Sequence, residues 1–283
     1  MSSSHTPIEP LDISVVIVNW NVCPLLRQCL ASLEAARERL PVDVWVVDNA
    51  STDDSATMVR EEYPWVHMVI NRENRGFAAA NNQALRSSEG RYALLLNADA
   101  ALKGGALEAM CEFLDRHPDV GVVGPQLLNP DGTVQSSRRR VPRLATGFVE
   151  STQLQQWWPR SWLTDQYYVA DRTDGETQPV DWLVGACLLV RRAAIDAVGL
   201  LDEGFRMYSE ELEWCLRIRR AGWEVTYLPS ARVVHHYGQS SGQDMLARHL
   251  NYHASKYRLN VMLYGRPAAL LLRCWIAGLY LLQ

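Results

Sequence analysis

With 283 residues, 48% of them hydrophobic and 21% charged, the chain has an ordinary globular composition, sized for one large α/β domain or a domain with an appendage. A net charge of −4 excludes bulk nucleic-acid binding. The six cysteines (Cys23, Cys29, Cys111, Cys187, Cys215 and Cys274) form no CxxC pair and read as reduced core residues of a cytosolic protein.

The N-terminus, Met1 to Leu11, is polar and lacks the charged-then-apolar order of a secretory signal. Ile13 to Val18 is a β-branched run that predicts a first strand, followed by Asn19-Trp20-Asn21. Leu26, Leu30 and Leu33 recur at helical spacing and predict a helix over Leu25 to Arg39. Val42 to Val47 predicts a second strand, followed by Asp48-Asn49-Ala50-Ser51-Thr52-Asp53-Asp54. Ser51 with Asp54 three residues on resembles a capping box that opens a helix to about Glu62. Val66 to Ile70 predicts a third strand, Asn71 to Gly76 a loop, and Phe77 to Arg86 a helix. Tyr92 to Leu96 predicts a buried fourth strand, and a helix over Gly105 to Arg116 leads to a strand at Val120–Val123. Strands alternating with helices imply βαβ units and a mostly parallel sheet.

After Pro125 the pattern changes. Asn129-Pro130-Asp131-Gly132 is a turn signal for a hairpin. Gln135 to Pro179 has no clear period and holds Arg138, Arg139, Arg140, Trp157, Trp158, Trp162, Tyr167 and Tyr168; it reads as a functional loop or mobile segment. Val184 to Val190 predicts a buried strand, and Glu210 to Ala221 a helix closed by Gly222. Val225–Leu228 and Arg232–His236 read as two strands, and Gln243 to Leu263 as a helix. From Ala268 to Leu282 the only charge is Arg273, with Arg266 and Pro267 just before. Three readings are open for this tail: a core helix, a helix lying in a membrane interface with Arg273 snorkelling, or a membrane segment cut short at Gln283. It falls short of the ~20 apolar residues that span a bilayer.

Chemistry concentrates where strands end. Leu96-Asn97-Ala98-Asp99-Ala100 delivers an amide and a carboxylate to the carboxyl edge of the sheet, where open α/β sheets bind ligands. Oxygen ligands there suit a hard cation, Mg²⁺ or Mn²⁺, held against a diphosphate. Asp48 and Asn49 end the second strand and Asn19 and Asn21 the first; the carboxylate of Asp48 can accept the N3–H of a pyrimidine, and the asparagines can line base and ribose. Capping of the following turns is the structural alternative for each. No G-x-G-x-x-G, P-loop or H-E-x-x-H pattern occurs. Gly238-Gln239-Ser240-Ser241-Gly242 does match the G-x-S-x-G of a serine hydrolase. Only Asp244, His249 and His253 follow it, on the same predicted helix, which does not suit a triad.

These residues resemble family 2 glycosyltransferases of the GT-A fold, in particular the rhamnosyltransferase-like branch. The matching strings are Val-Asn-Trp-Asn (18–21), Val-Val-Asp-Asn-Ala-Ser-Thr-Asp (46–53), Asn-Arg-Gly-Phe-Ala-Ala-Ala-Asn-Asn (74–82) and Leu-Leu-Asn-Ala-Asp (95–99). Further on come Gly-Ala-Cys-Leu-Leu-Val-Arg-Arg (185–192), Met-Tyr-Ser-Glu-Glu-Leu-Glu (207–213) and Val-His-His-Tyr-Gly-Gln-Ser (234–240). The resemblance implies a GT-A domain over residues 1–241, with an irregular acceptor-side segment at about 135–180, and a helical appendage over 242–283.

By the same resemblance Asp48 recognises the base, and Asn19, Asn21, Asn49, Ser51, Arg75, Gly76, Asn82, Asn97 and Gly185 surround the nucleotide-sugar. Asn97 and Asp99 stand at the D-x-D metal motif, and His235 is a further metal or diphosphate contact. The catalytic base falls on Glu211, with Glu210 and Glu213 as alternates. Two departures stand out: Asn97 replaces the first acid of D-x-D, and the family's E-D-x-D reads Glu210-Glu211-Leu212-Glu213. On a helix Glu210 and Glu213 share a face while Glu211 points ~100° away, so one direction alone is expected to face the acceptor.

The implied reaction is a single displacement with inversion. A cation neutralises the diphosphate, and Glu211 takes a proton from the acceptor hydroxyl. The implied donor is dTDP-rhamnose, with UDP-sugars next. The implied acceptor is a saccharide or lipid-linked saccharide, met by the 135–179 stretch and the apolar tail at the inner face of the plasma membrane. A protein that binds a nucleotide-sugar without turnover is the remaining alternative, because both acidic motifs are altered.

Overall fold

The computed structural model describes residues 13–150, 152–157 and 161–281; Met1–Leu11 and Trp158 lie outside the described residues. The first half alternates strand and helix: β1 (Ile13–Asn19), α1 (Cys23–Arg37), β2 (Val42–Asp48), α2 (Ser55–Glu62), β3 (His67–Ile70), α3 (Phe77–Ser87) and β4 (Tyr92–Asn97). β1 pairs in parallel with β2 and with β4, and β2 with β3. Both faces of this half are covered, which is why β1 and β4 are apolar almost throughout rather than alternating. Leu26, Leu30 and Leu33 of α1 pack one face; Ala80, Ala84 and Leu85 of α3 pack the other.

The second half widens the sheet. β5 (Ala100–Leu102), α4 (Ala106–Arg116), β6 (Val120–Leu128), β7 (Val134–Gln135) and β8 (Arg138–Arg139) come first. Next are the short helices α5 (Leu144–Val149), α6 (Gln153–Trp157) and α7 (Trp162–Tyr167), followed by β9 (Gln178–Pro179), β10 (Trp182–Leu183) and β11 (Cys187–Arg191). The chain continues through α8 (Arg192–Val198), α9 (Glu210–Arg220), β12 (Glu224–His235) and α10 (Met245–Leu281). The strand order is β3-β2-β1-β4-β11-β6-β12-β5. β11 is antiparallel to both β4 and β6, β12 is parallel to β6, and β5 is antiparallel to β12. The sheet is therefore mixed, with its parallel half at the N-terminal end of the chain.

Several expectations change. The stretch from Gln135 to Pro179 is not irregular: it carries β7, β8, β9 and three helices of five or six residues, too short to show a period. The expected strand at Val184–Val190 starts at Cys187, and Trp182–Leu183 pairs instead with β8. The two expected strands after Gly222 are one, β12, with a register shift between Leu228 and Arg232 around Pro229. The Ser51–Asp54 capping box does not form. The Ser51 hydroxyl accepts from Asn21 N and Asn19 Nδ2, while Asp53 accepts from Ser55 N and Cys23 N. The hairpin turn at Asn129–Gly132 is present, with Asn129 N donating to Thr133 O at 2.8 Å.

The helix over Gln243–Leu263 and the apolar tail are one element, α10, broken at Gly265 (φ +81°) ahead of Pro267. The tail is partly core: Leu272 is buried against Gly147 of α5, and Trp275 Nε1 donates to Phe148 O. Among the described residues no helix is long and apolar enough to cross a membrane. The first half of α10 is fastened to the end of α5 by Lys256 Nζ and Glu150 Oε2, 2.5 Å apart and largely buried.

Removing one partner of a buried pair leaves an uncompensated charge. Lys256→Met is expected to destabilise the protein by about 3 kcal/mol in urea unfolding, and the double variant Lys256→Met/Glu150→Leu by clearly less. A loss in the double variant equal to the sum of the Lys256→Met and Glu150→Leu losses would show that the pair is not coupled.

Candidate active site

β2, β1 and β4 lie side by side and in register, with Asn19 opposite Asp48 and Val18 opposite Asn97. Their polar ends therefore meet at one edge. After Asn97 the chain turns through Ala98-Asp99 into β5, which folds back onto the end of β12 with Ala100 opposite His235. That pairing sets Asp99 beside His235. His235 Nε2 lies 3.3 Å from Asp99 Oδ1 and 3.3 Å from Asn97 Nδ2, and Nδ1 lies 2.7 Å from Gln135 Oε1. Asp99 and His235 are both buried.

These groups form one wall of a cavity of about 300 Å³. Val18, Trp20, Asn49, Gly76, Phe77, Gly185, Tyr208, Glu210, Glu211 and Arg139 also line it. Among the described residues, eight buried side-chain polar atoms lack a hydrogen-bond partner, and four belong to this cavity's lining: Asn97 Oδ1, Tyr208 OH, Glu210 Oε2 and Glu211 Oε2. Buried polar atoms are nearly always paired in proteins, so such a concentration marks groups that meet a ligand.

The predicted nucleotide-sugar residues divide into lining and scaffold. Side chains alternate along a strand, so Val18 and Trp20 face the cavity while Asn19 turns the other way. Asn19 Nδ2 donates to Asp48 Oδ1 at 3.0 Å and Ser51 N to Asp48 Oδ2 at 3.0 Å. Asp48 is buried behind the wall rather than on it. Asn21 Oδ1 accepts from Thr52 N at 2.6 Å, which joins the same two loops. Asn49 does line the cavity and also clamps the next loop, donating to Asn74 Oδ1 and Gly76 O and accepting from Arg75 N.

Gly76 has φ +83°, and a Cβ there would lie 2.4 Å from Arg206 O. Its smallness lets Phe77 N donate to Arg206 O at 2.7 Å. The Arg75 side chain is exposed outside the lining. Asn82 is buried away from the cavity, donating to Leu201 O and Glu203 Oε1 and accepting from Leu201 N. Asn19, Asn21, Asp48, Ser51, Arg75 and Asn82 thus shape the site without lining it.

The acidic cluster also differs from expectation. Tyr208 and Ser209 both have φ +70°, a conformation that costs a non-glycine residue energy. They turn the first residues of α9 end-on to the cavity, so both Glu210 and Glu211 line it. The sequence-based expectation that only one helix face meets the cavity does not hold. Glu213, one turn on, is spent: both its oxygens accept from Arg217 Nε at 2.8 and 2.9 Å. Arg217 in turn donates to Val198 O and Leu200 O, fastening α9 to the end of α8.

Gly185 gives Glu211 its seat. A Cβ at Gly185 would lie 3.3 Å from Glu211 Cβ. Burial raises the Glu211 pKa, and the backbone N–H groups of Glu211, Gly185 and Leu212, then the Arg139 charge, hold it back. Burial raises Glu210 well above its ordinary value, and the Glu211 charge adds to this. Both carboxyls are therefore raised, Glu210 the more strongly, so the proton is held more tightly at Glu210 than at Glu211.

Sequence reasoning singled out neither Trp20 nor Tyr208, and placed Gln135 and Arg139 only within the 135–179 acceptor-side stretch. Trp20 was legible from strand alternation. Arg139, stacked over Tyr168 at 4.5 Å and near the Trp182 ring, was not, because β8 and β10 are two-residue strands. The hydrolase reading fails. Asp244 caps α10 by accepting from Ala247 N, and His249 Nδ1 lies 3.2 Å from Met245 O on its own helix. Of the cysteines, five are buried, and Cys274 is exposed.

The model of glycosyl transferase family 2 matches residues 14–199. An N-acetylglucosaminyl-diphospho-decaprenol L-rhamnosyltransferase of Mycobacterium tuberculosis is 35% identical over 255 residues, 86% of this chain and 82% of the relative. Among solved structures, a mannosyltransferase from Pyrobaculum calidifontis in complex with GDP-Man and Mn²⁺ is similar, with a TM-score of 0.57. Its identity is 20%, over 96% of this chain and 76% of that one. GalNAc-T7 with UDP, GalNAc and Mn²⁺ has a TM-score of 0.59 and 17% identity, covering 81% of this chain and 44% of that one. These structures share the GT-A fold.

A carboxyl whose pKa is raised by folding binds its proton more tightly folded than unfolded. Its stabilising contribution is present below the ordinary value of 4.5 and is lost as pH rises through the folded value. Glu210→Gln has nothing to lose at that position. Its melting temperature relative to the parent is therefore expected to rise between pH 5 and pH 8. A pH-independent difference would show that Glu210 is not held protonated.

Proposed function

The chain belongs to glycosyl transferase family 2 and is a glycosyltransferase; on that premise we propose that it transfers rhamnose from dTDP-rhamnose, with inversion and with a divalent cation, to a saccharide on a lipid diphosphate. UDP-sugars are the second donor class. The observation that carries this reading is that one cavity is lined by both groups: Asn97 and Asp99, each 3.3 Å from His235, and Glu211 seated against Gly185. The donor and acceptor classes are supported by the Mycobacterium tuberculosis relative, whose name gives a rhamnosyl group and an N-acetylglucosaminyl-diphospho-decaprenol.

The cation site has the right donors. Asn97 Oδ1 is a buried oxygen with no partner, Asp99 supplies a carboxylate and His235 an imidazole nitrogen. Such a set suits Mn²⁺ or Mg²⁺. Among the described residues no three His, Cys, Asp or Glu side chains converge, so the protein fills few positions and leaves the others to donor oxygens and water. When bound, the cation supplies positive charge to the departing diphosphate.

The chain's own residues do the rest. Glu211 accepts the proton of the acceptor hydroxyl as its oxygen bonds to the anomeric carbon and the bond to the nucleoside diphosphate breaks. Glu210, neutral, keeps a second negative charge away from Glu211. Asp48 and Asn19 hold the loop at the base end, so Asp48 contributes to base recognition through the shape of that loop. Arg139 stands on the acceptor side.

The second half of α10 supports contact with the inner membrane surface. Leu272 and Ala269 are buried, yet Leu270 and Leu271 are more than half exposed, with Cys274 on the same side. Arg266 and Arg273 are a full heptad apart on the flank of this stripe. An apolar stripe bordered by arginines suits an interfacial helix on anionic lipid.

The function is tested by a thermal-shift screen of nucleotide-sugars with and without Mn²⁺, followed by transfer assays. Asp99→Ala is expected to abolish transfer and remove the metal-dependent shift, while Asn97→Asp keeps or improves metal affinity. Glu211→Gln should lower turnover ~10²-fold or more with donor affinity kept, and Glu211→Asp should retain more activity. Normal turnover in Glu211→Gln together with a dead Glu210→Gln would move the base to Glu210.

The membrane reading is tested without truncation, because the covered face of the tail is core. Leu270→Glu/Leu271→Glu is expected to lower co-sedimentation with phosphatidylglycerol vesicles by on the order of 10²-fold, given ~1.5–3 kcal/mol per buried leucine. Its melting temperature should be unchanged. Equal sedimentation of variant and parent would refute it.

A further inference from the structure

The reading of Asn97, Asp99 and His235 as a cation site leaves open what aims His235. A neutral imidazole carries its proton on either nitrogen, and only the bare nitrogen can bind a metal. The surroundings of His235 decide which it is. Gln135 Nε2 donates to two acceptors, Asn129 Oδ1 at 3.0 Å and the backbone carbonyl of His235 itself at 3.4 Å. A backbone carbonyl cannot donate, so the Gln135 amide has one orientation, with Oε1 toward the ring. Oε1 lies 2.7 Å from His235 Nδ1 and can only accept, so Nδ1 carries the proton.

Asn129 is oriented in its turn. Its Nδ2 donates to Thr133 Oγ1 at 2.9 Å, and Thr133 Oγ1 donates to the carboxylate of Asp131 at 2.6 Å. The hydroxyl proton is committed to Asp131, so Thr133 accepts from Asn129, and Asn129 Oδ1 is left to receive Gln135. Each link fixes the polarity of the next, from the exposed tip of the hairpin to the buried imidazole.

The consequence is felt at the other nitrogen. In the neutral ring that metal binding requires, Nε2 is then the bare nitrogen, and it faces Asp99 Oδ1 at 3.3 Å. Asn97 Nδ2 offers one hydrogen, which leaves Asn97 Oδ1 buried and unpartnered. A cation shared by the three relieves that arrangement.

We propose that Gln135, oriented by Asn129 and by the carbonyl of His235, is a positioning residue: it locks His235 with the proton on Nδ1 and aims bare Nε2 at Asn97 and Asp99. The hairpin between β6 and β7 is thereby part of the cation site, although none of its residues is a ligand. Partners of this kind fix ring orientation in metal sites, and their loss typically costs 10–100-fold in metal affinity.

Two measurements test this. Long-range ¹H–¹⁵N spectra of the metal-free parent, with the His235 signals identified by their loss in His235→Gln, are expected to show the proton on Nδ1; a proton on Nε2 overturns the proposal without any change to Gln135. Mn²⁺ binding followed by electron paramagnetic resonance is expected to weaken about 10–100-fold in Gln135→Leu. Gln135→Glu, whose carboxylate also accepts from Nδ1–H but cannot donate to Asn129 Oδ1 or the His235 carbonyl, should lose less affinity than Gln135→Leu. Parental affinity in Gln135→Leu, beside a loss in Asp99→Ala, would overturn the positioning role and keep the cation site. Parental affinity in Asp99→Ala would remove the cation site, and with it the purpose proposed for the hairpin.

Discussion

The pairing of Ala100 with His235, where β5 folds back onto β12, is the constraint on which the rest of the site depends. It brings together two residues 136 positions apart, counted from 99 to 235, and buries both. A carboxylate and an imidazole taken out of water need partners. Asp99 has Gln239 N at 3.4 Å and the ring of His235; His235 has Gln135. Because those partners come from a hairpin, a strand end and a loop, the Asp99–His235 cluster is set by the sheet's far edge, not by β4 alone.

The opposite wall is built by a different device. Two successive residues at φ +70° precede α9, and the strain they carry is held by the contacts around them. Phe205 is fully buried, and Arg206 O accepts from Phe77 N through the space that Gly76 leaves. The result is a helix that begins with two carboxyl groups aimed into one cavity. Burial raises both carboxyls, the Glu211 charge raises Glu210 further, and the backbone N–H groups at the helix start hold Glu211 back. Glu213 lies outside that competition because Arg217 has already claimed it.

The ends of β1 and β2 are built from residues that bind each other. Asn19, Asp48 and Ser51 form a closed set of hydrogen bonds behind the surface, and Asn49 links Asn71 to Asn74 at the next loop. Asparagine and aspartate are frequent at strand ends because they satisfy loop backbone as readily as they bind ligands. Their presence at three neighbouring strands marks the edge, and strand alternation decides which of them reach the cavity.

Much of this was legible in the chain. The apolar runs of β1, β2 and β4, the helices between them and the Asn/Asp clusters that follow establish a parallel α/β half with a polar carboxyl edge, because period and composition act locally. The family strings single out Asn97, Asp99, His235 and Glu211, which the structure places in the lining of one cavity. What the sequence could not settle is everything that depends on distant pieces meeting. Short strands such as β8 and β10 owe their existence to partners rather than to propensity, so Arg139 was invisible. Asn19 and Asp48 have the right chemistry for a ligand, yet the register of β1 on β2 turns them toward each other. Glu210 and Glu211 share the cavity because a strained turn tilts a helix end, which helical periodicity cannot foresee. Local pattern determined the elements and the chemistry available at their ends; only the long-range pairing of β5 with β12 and the entry angle of α9 decided which of those groups face each other, because side-chain direction at a strand end or helix start follows from its neighbours in space.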